Sequence, residues 1–165
     1  MDQKLSTAGR APLPRIDVMD RKILRLLQDD AMMSLQEISR EVGLSQTPCW
    51  KRIQRLLAVG VIDRRVAILS PEALGLNLTV FVSVESEDRS GPGCERVAAA
   101  IATLPEVMQL YRLAGPGSFL LQVVVPDEAA FDDFYGRLKG LVPLAGVTPS
   151  FVRQRLKAAT AYAAV

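Results

Sequence analysis

Histidine is absent from this chain of 165 residues, and cysteine occurs only twice, at Cys49 and Cys94. Without histidine there is no Ser-His-Asp triad, no Cys-His nucleophile, no histidine-bearing zinc site and no imidazole general base. Two cysteines are too few for a disulfide framework. No uninterrupted apolar run approaches the ~20 residues needed to cross a bilayer. Residues 1–14 lack the apolar core of a secretion signal and read as a flexible tail. A cytoplasmic protein without membrane partner, cofactor, metal or catalytic centre is therefore expected.

What is present is the balance of a folded chain, with 49% apolar and 23% charged residues. The net charge of +2 says little, but its distribution is uneven. Residues 1–65 carry 12 Lys/Arg against 8 Asp/Glu, and residues 66–165 carry 8 against 10. A basic front and a mildly acidic rear suggest that only the front meets a polyanion.

Three helices are readable in that front half. Over residues 17–30, Asp17 can act as a cap, and Met19, Ile23, Leu26 and Leu27 recur at helical spacing. Ser34 with Glu37 three residues later forms a capping box for a second helix, with Leu35, Ile38 and Val42 as its buried stripe and Gly43 at its end. Ser45 can cap a third helix that Gly60 stops. Pro48 falls in its first turn, where the missing N–H costs little. Residues 61–69 read as a β-ribbon or wing.

From Leu76 the pattern changes. Residues 78–84 alternate like a strand, and Arg89-Ser90-Gly91-Pro92-Gly93 is a turn-rich loop. Residues 94–104 look helical, 107–113 and 119–125 are strands, 127–138 a helix and 147–156 a last strand. The expected class is α+β: a winged helix-turn-helix (15–69), a linker (70–75) and a ferredoxin-like βαββαβ domain (76–165).

The third helix carries the sharpest signal. Cys49, Ile53, Leu56 and Leu57 make one stripe, which assigns Cys49 to the core as a small apolar residue. Thr47, Lys51, Gln54 and Arg55 repeat that spacing two positions earlier, about 200° round the helix, and Arg52 flanks them. Lys and Arg can neutralise phosphates or read guanine, and Gln can read adenine. Arg64 and Arg65 add charge where a wing meets the DNA backbone. Two short helices, the Gly43-Leu44-Ser45 turn and a basic helix are how a helix-turn-helix enters the major groove. Ser45, Thr47, Lys51, Arg52, Gln54, Arg55, Arg64 and Arg65 are the candidate DNA contacts, the competing reading being a solvated helix face. Trp50 is expected between helices, with the DNA backbone as its alternative place.

At this point the chain resembles the Lrp/AsnC family of transcription regulators, from about Ile16 to Thr160. The matching segments are Asp20-Arg21-Lys22-Ile23-Leu24, Val42-Gly43-Leu44-Ser45 with Thr47-Pro48-Cys49, Gly60-Val61-Ile62, Ser70-Pro71-Glu72-Ala73-Leu74-Gly75, Leu104-Pro105-Glu106-Val107 and the stretch from Ser150-Phe151 through Lys157. The resemblance implies a DNA-binding winged helix-turn-helix joined to an effector domain that pairs subunits into dimers and larger rings. Three positions depart from the family pattern. Met32 stands where a basic residue is usual, Arg65 where an aromatic is usual, and Gly115-Pro116-Gly117-Ser118 where Gly-Asp-aromatic-Asp is common. In members that bind amino acids, the acid of that loop can hold the ligand's ammonium, a charge Ser118 lacks. Gly115, Gly117, Ser118 and Phe119 are the candidate effector contacts, a plain tight turn being the competing reading.

The expected function is a sequence-specific DNA-binding transcription regulator modulated by a small molecule such as an amino acid. An architectural DNA-binding protein without an effector is the alternative. A tetrapyrrole decarboxylase subunit, which resembles this family, is disfavoured because such enzymes are expected to need histidine. The expected partners are double-stranded DNA, a small-molecule effector and the chain itself, as a homodimer or a tetramer or octamer built from it.

Overall fold

The computed structural model describes residues 14–163, so most of the expected tail lies outside the described residues. Two compact units are present: residues up to 68 together with 156 onward, and residues 69–155. Residues 156–163 thus cluster with the helical unit. Tyr162 N–H donates to Gln28 Oε1 at 2.7 Å within that helical unit.

The first unit is built on α1 (Val18–Asp29), α2 (Leu35–Val42) and α3 (Gln46–Ala58). Asp17 caps α1 in a full capping box, its carboxylate accepting from Asp20 N–H while the Asp20 carboxylate accepts from Asp17 N–H. Ser34 and Glu37 form the expected box on α2. Gly43 ends α2 at φ 73°, a left-handed conformation that strains any residue with a Cβ. The helices close on a core of Ile23, Ile38, Val42, Cys49 and Ile53.

The expected ribbon over residues 61–69 does not form. Val61 and Ile62 donate to the Leu56 carbonyl and finish α3, and the rest of the segment has no strand beside it. A ribbon is defined by ladder hydrogen bonds, and this segment finds no strand partner among the described residues. Its apolar residues Val66, Ile68 and Leu69 are exposed.

The second unit opens with a short 3-10 turn, Glu72–Leu74, and then runs β1 (Leu78–Ser86), α4 (Gly91–Ile101), β2 (Val107–Arg112), β3 (Ser118–Val125), α5 (Glu128–Leu141) and β4 (Leu144–Phe151). The sheet is antiparallel in the order β2-β3-β1-β4, with Val82 opposite Leu121 and Pro149. This is the ferredoxin-like βαββαβ arrangement. Alternation does the sorting: Val80, Val82 and Val84 on β1 and Phe119, Leu121, Val123 and Val125 on β3 face the helices. There they meet Cys94, Val97 and Ile101 of α4 and Phe131, Phe134 and Leu138 of α5. The glycines at 91 and 93, read as loop, fall in the first turn of α4, because Ser90 caps it and Pro92 sits where a lost N–H costs nothing.

Candidate nucleic-acid interface

The recognition helix α3 sorts its side chains into three sectors. Cys49, Ile53 and Leu56 are buried. Thr47, Lys51 and Gln54 are exposed on the opposite side and make no hydrogen bond or ion pair among the described residues. Ser45 stands at the helix N-cap with its backbone extended, but its hydroxyl makes no capping bond. The N-terminal end of α3 is therefore without a side-chain cap, and its first N–H groups leave it positively polarised.

Arg52 and Arg55, both expected among the DNA contacts, occupy the sector toward α1. Asp20 is fully buried at 0% exposure. One of its oxygens accepts from Arg52 Nη1 at 2.8 Å, and the other from Arg55 Nη2 and from Asp17 N–H. Arg52 also pairs with Asp17 at 2.6 Å, and Arg55 Nη1 donates to the Arg15 carbonyl at 3.1 Å. Two of the cations expected to face DNA are thus tied to carboxylates of their own chain. Burial pushes the Asp20 carboxyl up, but the Asp17 N–H and the Arg55 and Arg52 guanidiniums outweigh it and leave it below the usual range. The Asp20 N–H and then Arg52 hold Asp17 down to about 2. The result is an electrostatic clasp between α1 and α3, beside an open groove of about 540 Å³ lined also by Arg15 and Lys51.

Trp50 is 52% exposed rather than packed between helices. It lies at the edge of the buried stripe and lines a shallow groove with Leu35, Gln46 and Thr47. It is an exposed aromatic on α3, where the sequence reading expects it between helices with the DNA backbone as its alternative place. Arg64 pairs with its neighbour Asp63 at 3.6 Å, and both Arg64 and Arg65 are exposed.

In the second unit, the turn between β2 and β3 is closed by its own backbone. Ser118 N–H donates to the Gly115 carbonyl, Leu113 N–H to the Ser118 carbonyl and Ser86 N–H to the Gly117 carbonyl. Gly117 has φ 76°, and a Cβ there would press on Arg89 Cγ at 3.1 Å. Ser118 is half-buried. Phe119, expected beside a ligand, is 1% exposed and belongs to the core, because strand alternation turns it toward the helices.

Both units match known domains. Residues 16–57 match the AsnC-type helix-turn-helix domain, and residues 79–162 match the Lrp/AsnC ligand binding domain. Over 146 residues the chain is 41% identical to the DNA-binding transcriptional activator DecR of Escherichia coli, covering 88% of this chain and 96% of that one. A crystal structure of an AsnC family transcriptional regulator from Agrobacterium tumefaciens superimposes with a TM-score of 0.84 at 41% identity, over 88% of this chain and 95% of that one. A transcriptional regulator from Neisseria meningitidis, solved in complex with L-Met, does so at 0.82 and 32% identity, again over 88% and 95%. A capped three-helix reader of DNA, followed by a four-stranded antiparallel sheet under two helices, is the architecture these relatives share, and the chain belongs to the Lrp/AsnC family of DNA-binding transcription regulators.

Proposed function

We propose that this regulator reads its operator with Thr47, Lys51 and Gln54, while Ser45, Arg64 and Arg65 touch the DNA backbone. Arg52 and Arg55 serve chiefly to hold α3 against α1. One observation carries this assignment. Thr47, Lys51 and Gln54 are exposed and unpartnered, whereas the neighbouring arginines are engaged by Asp17 and Asp20. Residues 15–69 contact DNA in this reading, and the sheet domain beginning at residue 76 binds the effector and a second subunit.

The effector is a free amino acid, as supported by the L-Met complex of the Neisseria relative. At the β2–β3 turn, Gly115 and Gly117 shape the backbone and Ser118 supplies a hydroxyl, with no acid for an ammonium. The regulator acts in the cytoplasm as a homodimer. Its sheet turns Phe81, Leu120 and Tyr111 away from the helices.

Selection of duplexes from a random pool, followed by titration of the winning site, tests the DNA reading. Lys51→Ala should relax selection at the base pair that Lys51 reads. Gln54→Ala should relax selection at one base pair, at a cost of about 1–3 kcal/mol. Unchanged binding by the double variant would refute the assignment.

A further inference from the structure

The open groove of about 540 Å³ beside the clasp carries more positive charge than the clasp uses. Four cations line it, Arg15, Lys51, Arg52 and Arg55, against two carboxylates, Asp17 and Asp20. Both carboxylates are taken, since Arg52 pairs with Asp17 and Asp20, and Arg55 with Asp20. Arg15 and Lys51 are left over. Both are exposed, and neither side chain makes a hydrogen bond or ion pair among the described residues. A groove with two surplus positive charges attracts an anion.

Two features of the groove point to the source of that anion. Lys51 stands on the side of α3 that carries Thr47 and Gln54, so the groove opens beside the face that reads DNA in this assignment. Arg15, for its part, is held to α3 by its backbone, because its carbonyl accepts from Arg55 Nη1 at 3.1 Å. It stands two residues before Asp17, the cap of α1. The chain ahead of α1 is thus anchored on the recognition helix at Arg15, with the main chain fixed and the guanidinium free. Rows of phosphates border the major groove on both sides, and a helix lying in it has them at its flanks.

We propose that Arg15 binds a phosphate of the DNA backbone at the edge of the major groove, which makes the chain ahead of α1 a second DNA-contacting element. Its guanidinium donates to the phosphate oxygens, and Lys51 remains free to read a base. Phosphate contacts set register and orientation and carry no sequence information. Arg15 therefore orients α3 on the duplex, and the reading face of α3 chooses the sequence. The proposal rests on the DNA reading assigned to Thr47, Lys51 and Gln54.

The test is titration of the full chain with the selected duplex and with an unrelated one, across a series of salt concentrations. Arg15→Ala should weaken both duplexes by the same factor and lower the salt slope by about one, the loss of one phosphate contact. Arg15→Lys should keep the slope, since an ammonium also neutralises a phosphate. The melting temperature of Arg15→Ala without DNA should stay at the wild-type value, because the side chain is exposed and alanine keeps the carbonyl that Arg55 uses. A wild-type slope in Arg15→Ala, with selection still relaxed in Lys51→Ala and Gln54→Ala, overturns the phosphate contact and leaves the reading by α3 standing. Relaxed selection in Arg15→Ala would make it a base contact and overturns the proposal as well. Inorganic phosphate without DNA supplies the other source of this anion. A phosphate-dependent rise in melting temperature that the wild type shows and Arg15→Ala lacks would assign the groove to a free anion and overturn the DNA contact. A wild type that selects no duplex overturns both the contact and the reading.

Discussion

Asp20 buries its carboxylate completely and satisfies it with two guanidiniums and a backbone N–H. Such a group is costly to leave half-paired, because a buried charge without its partner keeps the full desolvation penalty. Arg52→Ala removes one of the two guanidiniums and should destabilise the helical unit by about 2–3 kcal/mol, a range held down by the 30% exposure of the Arg52 side chain. Lys51→Ala, one residue away but exposed and unpartnered, should shift stability by no more than about 0.5 kcal/mol. Urea denaturation of the two variants checks the contrast, and equal midpoints would mean that the clasp contributes nothing. In sequence the two residues look alike: adjacent cations on one basic helix. The structure separates them because Lys51 points outward while Arg52 points at α1.

At the scale of the element, α1 begins with a cap that is itself part of the clasp. Asp17 accepts the Asp20 N–H and the Arg52 guanidinium, and its pKa falls from the ordinary 3.8 to about 2. A carboxylate with a lower pKa folded than unfolded stabilises the fold above its unfolded pKa, and that contribution is lost as pH falls through the folded value. The difference in melting temperature between wild type and Asp17→Asn should therefore be constant above about pH 5 and shrink from about pH 4 to about pH 2. A difference that holds its size across that window would show the Asp17 charge to be irrelevant. The helices of this unit and the caps at Asp17 and Ser34 were legible in the sequence, since such caps span three residues and a helical stripe repeats every three or four, whereas the expected Ser45 cap makes no bond. The ribbon over residues 61–69 was not, because alternation shows that a segment can be a strand and says nothing about whether a neighbour is there to pair with it.

For the whole molecule, the sheet face turned away from α4 and α5 is the contact proposed for the dimer. Phe81 is 37% exposed on that face, and Tyr111 is 48% exposed beside Leu120. One recognition helix reads only a few base pairs, and a two-fold dimer doubles the site. Phe81→Glu places a charge on the proposed contact while leaving the helix-covered core intact. It should shift the protein toward monomer in light scattering at micromolar concentration and weaken operator binding, with little change in the folded sheet's circular dichroism. A variant that stays dimeric would move the interface elsewhere, and a monomeric wild type would remove the dimer altogether.

The sequence by itself determined the three helices of the first unit, the caps of two of them, the βαββαβ order and the composition of the two halves. Each of these rests on signals a few residues long: caps, stripes, alternation and turn glycines. The tertiary structure decided which of the candidate site residues are free. Asp20 and its arginines are 32 and 35 residues apart, so only the packing of α1 on α3 brings them together. Phe119 follows directly on the candidate turn, yet the sheet register turns it into the core. Trp50, the residue after buried Cys49, is left outside because no element covers that edge of α3. Arg15 and Lys51 share no motif, and they line one groove only because Arg55 ties the chain ahead of α1 to α3. Periodicity tells which residues share a face of an element, and only the packing of elements tells what stands opposite that face.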